Sequence, residues 1–238
     1  MTTIPAPGAD DLGWPRYPHE VLAVVLSVRD GRLCVLLWQR RQPPDRGRWA
    51  LPGGGVRPEE RLREAISRHL AEKVDVREIA HLEQLATHSA IDRDPRGRVL
   101  ATAYLALVPS DVTPALPADT DWHPVDDLPA TALDHHFFVT AGTDRLRAKL
   151  SYTNIGFALT PRQFTIPVLR SIVSAALGYE VSATNLTRVM TRRHMIEPTG
   201  ASAPSGRAGG RPALVYRFCS RTLTVTDPFA VLRPPAAS

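Results

Sequence analysis

The stretch from Gly47 to Val76, GRWALPGGGVRPEERLREAISRHLAEKVDV, constrains the fold more than any other part of the chain. Leu62, Ala65, Ile66 and Leu70 recur at helical spacing, which predicts a helix over Pro58–Lys73 with one apolar face. Pro58 suits its first turn, where a missing N–H costs nothing. Immediately before it, Gly53-Gly54-Gly55 permits backbone angles that side chains forbid. Two readings of the glycines stay open: a turn that lets a phosphate approach backbone N–H groups, or a tight turn with no ligand.

The flanking sequence supplies strands for that helix to pack on. Val21–Val28 (VLAVVLSV) reads as a buried strand and Leu33–Gln39 (LCVLLWQ) as its return, with Asp30-Gly31 at the centre of the turn. Arg40–Arg48 reads as a loop. His81–Ala90 and Arg98–Val108 read as further strands joined through Asp94-Pro95-Arg96-Gly97, Asp121–Leu128 as a short edge segment, and Asp134–Lys149 as a helix. This is an α+β pattern, a mixed sheet with helices, over about residues 1–150. After Leu150 the texture changes. Thr165 is placed to cap a helix whose Val168, Leu169, Ile172, Val173 and Ala176 repeat at helical spacing until Gly178. Ser182 opens a second helix expected to run through Met195; Thr199–Pro212 is rich in Gly, Ser and Pro, and Leu214–Phe218 is a strand. Helix, short turn, helix and hairpin make a winged helix-turn-helix over about residues 151–220, with 221–238 left as a tail of no clear fold.

The Gly47–Val76 stretch resembles the Nudix box, in which a glycine is followed after five residues by glutamate, and after seven more by arginine-glutamate-apolar-x-glutamate-glutamate-x-glycine-apolar. With Gly54 as the first glycine, Glu60, Arg68, Leu70, Glu72 and Val76 fall where the pattern requires them; His69, Lys73 and Asp75 replace glutamate, glutamate and glycine. In that family three glutamates of the helix hold magnesium, because positions i, i+3 and i+4 share a face and converge on one hard cation. Here those positions are His69, Glu72 and Lys73. At about 4 Å and an effective dielectric near 20, an ammonium repels a divalent cation by about 8 kcal/mol before relaxation. No metal site is expected, and no hydrolysis. The resemblance assigns Glu60 and Arg68 an ion pair that braces the loop and helix.

Charge is divided along the chain. Residues 1–148 hold 18 Lys/Arg against 21 Asp/Glu, a net −3; residues 149–238 hold 11 against 3, a net +8. A basic C-terminal module suits a polyanion. On its second helix Thr184, Asn185, Thr187, Arg188, Thr191 and Arg192 form the candidate DNA-reading face, while Leu186, Val189 and Met190 turn inward and Arg193 lies at the edge. Arg207 and Arg211, in the Gly-flanked wing, suit phosphate or minor-groove contact. In the N-terminal half the candidate ligand residues are Arg40, Arg41, Trp49, Gly53, Gly54, Gly55, Glu72 and Arg98; guanidinium forks at positions 40 and 41 suit a diphosphate, and Trp49 either stacks or fills core. Asp134-His135-His136 is a weak metal candidate, since adjacent helical positions do not share a face.

LSYTNIGFALTPRQFTIPVLRSIVSAALGYEVSATNLTRVMTRRHMIEPTG, then GRPALVYRF, together with DRDPRGRVLATAYLALVP and LDHHFF upstream, is similar to the Nudix-related transcriptional regulators over roughly residues 19–218. That resemblance implies a homodimeric repressor of NAD-biosynthesis genes that meets an inverted-repeat operator in double-stranded DNA. Its effector is ADP-ribose or a related NAD metabolite, and it requires no cofactor. The alternatives are a Nudix hydrolase of ADP-ribose with an atypical metal site, or a basic module that docks an acidic protein. Cys34 and Cys219 make no disulfide framework. The longest apolar run is too short for a bilayer, and Met1–Pro18 lacks a basic lead into an apolar stretch, so a cytoplasmic chain is expected.

Overall fold

The computed structural model describes Gly8, residues 13–203 and residues 212–227. Two compact units emerge. The first holds the chain up to Leu26, Cys34–Leu107 and Thr113–Thr143; the second holds Ser27–Leu33, Val108–Val112 and everything from Asp144 onward.

The first unit is built on β1 (His19–Arg29), whose residues Val21–Leu26 are almost wholly buried. That near-continuous apolar run follows from its neighbours: β1 pairs parallel with β6 (Leu100–Leu107) and adjoins β2 (Arg32–Gln39), so both edges are occupied. Asp30 and Gly31 take positive φ of 48° and 74°, as a two-residue hairpin turn requires. Strands β3 (Trp49–Ala50), β4 (Gly53–Gly55), β5 (His81–His88) and β7 (Thr120–Pro124) complete a sheet in the order β3-β2-β1-β6-β5, with β4 on β1 and β7 on β2. The glycines are therefore strand and not turn. Antiparallel pairing places Gly53 opposite Leu22 and Gly54 opposite Val21. A Cβ on Gly53 would lie 2.1 Å from the Val21 carbonyl oxygen, so strand contact alone demands glycine there.

Helix α1 spans Leu62–Val74, starting four residues later than the pattern predicts. Residues ahead of it are held otherwise: the Glu60 carboxylate accepts from the Arg57 N–H at 2.7 Å, and the Glu64 carboxylate from the Arg61 N–H at 2.9 Å. Ala65, Ile66, Leu70 and Val74 are buried as expected. The helix ends at Asp75 with φ 51°, the left-handed conformation for which the box carries glycine and which aspartate tolerates better than most residues. Helix α2 runs His135–Tyr152.

In the second unit, α3 (Ile166–Leu177) and α4 (Ala183–Arg192) flank a turn begun by Gly178 at φ 81°. Thr165 holds the cap position of α3, but its hydroxyl makes no capping bond; Pro at the first turn removes part of the need. Ser182 does cap α4, accepting from the Asn185 N–H. Helix α4 stops three residues short of Met195, because His194 turns to φ 51° and Met195 and Ile196 bury their side chains. Strand β8 (Phe164–Thr165), β9 (Ile196–Ala203) and β10 (Ala213–Phe218) form a sheet in the order β8-β10-β9, so the hairpin begins earlier than its Gly/Ser/Pro composition suggests. Phe157, Phe164 and Phe218 meet in its core.

Residues 221–227, expected to lack a clear fold, are held with Ser220 by Asn154. Its amide nitrogen donates to the carbonyls of Ser220 and Thr222, and its amide oxygen accepts from the Thr224 N–H at 2.8 Å. Thr153 bridges Val225, and Asp227 ion-pairs with Arg193. Arg193, at the edge of the α4 face, is thus fixed by a carboxylate. No described helix is long and apolar enough to cross a membrane.

Candidate functional site

In the first unit a cavity of about 380 Å³ opens between β1, β2, β4 and α1. Arg40, Arg41, Gly53 and Gly54 line it, as the sequence predicts, and so does Arg96, whose place near the second hairpin allows either a phosphate contact or a solvated turn; Lys73, Glu20, Trp38 and His135 line it without having been proposed as ligand residues. Gly55, Trp49, Glu72 and Arg98 are not in its wall. Trp49 packs edge-on against His123 at 4.2 Å. Arg98 lies over the Tyr17 ring at 4.8 Å. Arg96 faces the cavity in its place, because Asp94 grips its guanidinium at 2.6 Å and turns it inward from the loop.

Helix α1 determines what the cavity can hold. Arg68 is doubly bonded to Glu60 at 2.5 and 2.9 Å, and this guanidinium holds the Glu60 carboxyl down to about 2. The expected brace exists. One residue on, His69 is 6% exposed and its Nε2–H donates to the Gly55 carbonyl at 3.0 Å, which leaves the buried Nδ1 without a protein partner. Burial pushes its pKa below the usual imidazole range, favouring the neutral ring. A Cβ on Gly54 would sit 2.7 Å from the His69 ring and 3.2 Å from the Lys73 amine, so Gly54 is required by close packing against α1. Lys73 directs its ammonium into the cavity wall, donating to the Gly53 carbonyl at 2.6 Å and lying 5.3 Å from the centre of the Trp38 ring. Burial lowers its pKa as well. Glu72 turns away; its carboxylate is 56% exposed and 3.5 Å from Arg68.

The donor set does not fit magnesium. A hard divalent cation wants several oxygen ligands in octahedral array, and the face offers a neutral imidazole, an ammonium and one outward carboxylate. Among the described residues no three His, Cys, Asp or Glu side chains gather as a metal ion would need.

Behind the cavity a buried ionic cluster fixes the loop. Arg93, its side chain 1% exposed, is bidentate to Asp134 at 2.9 and 3.0 Å and bonds Glu20 at 2.7 Å. His135, next along, is buried and accepts the Leu51 N–H on Nδ1 at 2.8 Å; burial pushes its pKa down to about 4, so the ring is a neutral Nε2–H donor in the cavity wall. Its partner in the weak metal reading, His136, is exposed on another face.

In the second unit α4 separates its faces as expected. Leu186 and Met190 are buried, whereas Thr184, Asn185, Arg188, Thr191 and Arg192 are exposed and Thr187 is half-buried with its hydroxyl on the Ala183 carbonyl. Arg188 donates to the Asn185 amide oxygen at 2.8 Å, which joins two of the face's side chains. Arg207 and Arg211 lie outside the described residues.

A sheet carrying a box-like helix, joined on one chain to a helix-turn-helix with a basic outward face, defines the class of two-domain regulators. Residues 17–140 match the NUDIX domain, and residues 156–218 match the NrtR DNA-binding winged helix domain. The ADPR responsive transcriptional repressor NtrR of Acinetobacter baylyi is 32% identical over 215 residues, covering 85% of this chain and 83% of that protein. The crystal structure of Shewanella oneidensis NrtR complexed with a 27mer DNA superposes with a TM-score of 0.73 at 33% identity, over 84% of this chain and 92% of that one. The NUDIX domain of the same protein complexed with ADP ribose superposes with a TM-score of 0.50 at 34% identity, over 58% and 93%. The chain belongs to the NrtR family of Nudix-domain transcriptional regulators.

Proposed function

We propose that this protein is an ADP-ribose-responsive transcriptional repressor of NAD-biosynthesis genes. The first unit is the sensor, residues 1–150 in sequence terms, and the winged helix of residues 151–220 is the reader. The observation that carries the reading is the joining, on one chain, of a cationic cavity to an α4 face whose Arg188 and Arg192 have no carboxylate partner among the described residues. Its likeness to the A. baylyi repressor over 85% of the chain supports the same assignment.

Arginine on a major-groove helix reads guanine bidentately and neutralises phosphate, so Arg188, midway along α4, and Arg192, in its last turn, lead the contact. Thr184, Asn185, Thr187 and Thr191 supply shorter polar reach, and Arg207 and Arg211 add phosphate grip from the wing. A two-fold homodimer matches an inverted repeat with half-sites whole helical turns apart. In the sensor, Arg40, Arg41, Lys73 and Arg96 surround the ligand with positive charge. ADP-ribose is bound and not hydrolysed, because Lys73 and His69 stand where a hydrolase needs carboxylates to hold its metal and activate water. The effector lowers DNA affinity to the extent that it prefers the DNA-incompetent arrangement of the protein.

The test is an anisotropy titration of promoter DNA with the full chain, repeated with ADP-ribose, NAD and AMP. ADP-ribose is expected to shift the curve, and affinity is expected to fall steeply with salt as counterions are released. A curve unmoved by ADP-ribose removes it as effector. Turnover of ADP-ribose to AMP in Mg²⁺ or Mn²⁺ would overturn the sensor reading.

A further inference from the structure

Four cations line the sensor cavity, and their partners divide them into two groups. Arg41 is paired with Asp119 at 2.8 Å and Arg96 with Asp94 at 2.6 Å. The only carboxylate in the wall, Glu20, is already bonded to Arg93. Arg40 and Lys73 have neutral partners alone among the described residues: the Arg40 Nε–H donates to the Pro44 carbonyl at 2.9 Å, and the Lys73 ammonium to the Gly53 carbonyl at 2.6 Å. We propose that the Lys73 ammonium, paired with the Arg40 guanidinium, is the anchor for the diphosphate of a nucleoside diphosphate ligand and does the electrostatic work that a divalent metal does elsewhere in the fold. The proposal rests on the sensor reading above and names the group that holds the ligand.

Three physical points support it. The first is charge balance. A diphosphate esterified at both ends carries two negative charges at neutral pH, and the cavity offers two cations with no ion-pair partner among the described residues, balanced only in part by Glu20, which shares Arg93 with Asp134. The second is the cost of the empty site. A half-buried ammonium that faces one carbonyl and an aromatic ring is poorly compensated, and burial depresses the pKa of Lys73. An entering dianion would relieve that cost, so the unliganded cavity is prepared for an anion. The third is donor geometry. An ammonium has three N–H donors; Gly53 takes one, leaving two for phosphate oxygens, and the Arg40 Nη groups supply a fork.

The chemical consequence separates a holder from a hydrolase. An ammonium binds phosphate by charge and hydrogen bonds, but it does not lower the pKa of a bound water as a divalent ion does. Binding through Lys73 is therefore independent of metal and leaves the diphosphate intact.

The experiment is calorimetric titration of the full chain with ADP-ribose, in EDTA and in Mg²⁺, with adenosine as a ligand lacking phosphate. The wild-type affinity for ADP-ribose is expected to agree in the two buffers. Lys73→Met keeps an unbranched stem of similar length beside Trp38 and removes the charge; it should weaken ADP-ribose by about tenfold or more while leaving the melting temperature and adenosine binding within error. Lys73→Glu should lose binding in EDTA and recover part of it in Mg²⁺. Loss of wild-type binding in EDTA overturns the proposal, as does a folded Lys73→Met that binds ADP-ribose within twofold of wild type. A wild-type chain that binds no ADP-ribose in either buffer removes the sensor reading itself, and the lysine assignment with it.

Discussion

Helices α1 and α4 each present the polar residues on which function turns, and they do so in opposite directions. In α1 the side chains of His69 and Lys73 point into packed surroundings, against the glycine strand, where the His69 Nε2–H and the Lys73 ammonium donate to backbone carbonyls. In α4 Arg188, Thr191 and Arg192 point to solvent, and only Leu186 and Met190 hold the helix down. The inward helix ties its polar residues to packing, so only a change that keeps the side chain's shape, such as Lys73→Met, separates function from stability there. The outward helix leaves the two independent, so its face is free to be set by the DNA that we propose it reads. Substitutions therefore separate the regions by what they change.

The largest effect is expected behind the sensor cavity. Arg93→Met strands the carboxylates of Asp134 and Glu20 in a cluster built around the guanidinium, and should cost about 3–5 kcal/mol of unfolding free energy by urea denaturation. A loss under 1 kcal/mol would show that the inward region tolerates broken polar contacts as the outward one does.

Acid should next divide the units. The folded pKa of His135 is about 4, below the 6.5 of an unperturbed imidazole, so between these values the unfolded chain takes up the proton first. Its contribution is full above pH 6.5 and is lost as pH falls toward 4, by about 3 kcal/mol in all. Urea midpoints measured from pH 7 to 4 should fall less steeply in His135→Asn than in the parent chain. Equal slopes would mean that the ring is not held neutral.

On the outward helix, Arg188→Ala and Arg192→Ala should each weaken promoter binding by about 1–3 kcal/mol, and together remove a measurable shift. Thermal midpoints and ADP-ribose affinity should stay at parent values. A matching drop in stability would contradict the independence of that face.

Much of this arrangement is legible in residue order, for local reasons. The β1–β2 hairpin follows from Asp30-Gly31, and the buried stripe of α1 from the spacing of Ala65, Ile66 and Leu70. The faces of α4 follow from the same arithmetic. What escapes is whatever depends on distant partners. Arg93 meets Glu20 across 73 residues and Asp134 across 41, and no local pattern marks any of the three. Arg96 and Arg98 are equivalent in sequence terms; Asp94 decides that the first faces the cavity, and Tyr17 that the second does not. The triple glycine is conspicuous in sequence, but its first cause is the close approach of β1 and α1, which only the folded chain displays. Lys73 shows the reverse: its place in the box is evident, whereas its value as a cation without a counter-ion depends on where every nearby carboxylate is already engaged.

The Asn154 clasp sets where this protein can be trimmed or fused. The winged-helix match ends at residue 218, yet Asn154 takes partners at Ser220, Thr222 and Thr224, and Arg193 takes Asp227. A polypeptide ended at Phe218 would strip a buried side-chain amide of all three, at about 1–3 kcal/mol for each group left unsatisfied. A shortened chain should therefore keep at least the residues up to Asp227 if this clasp is to stay intact.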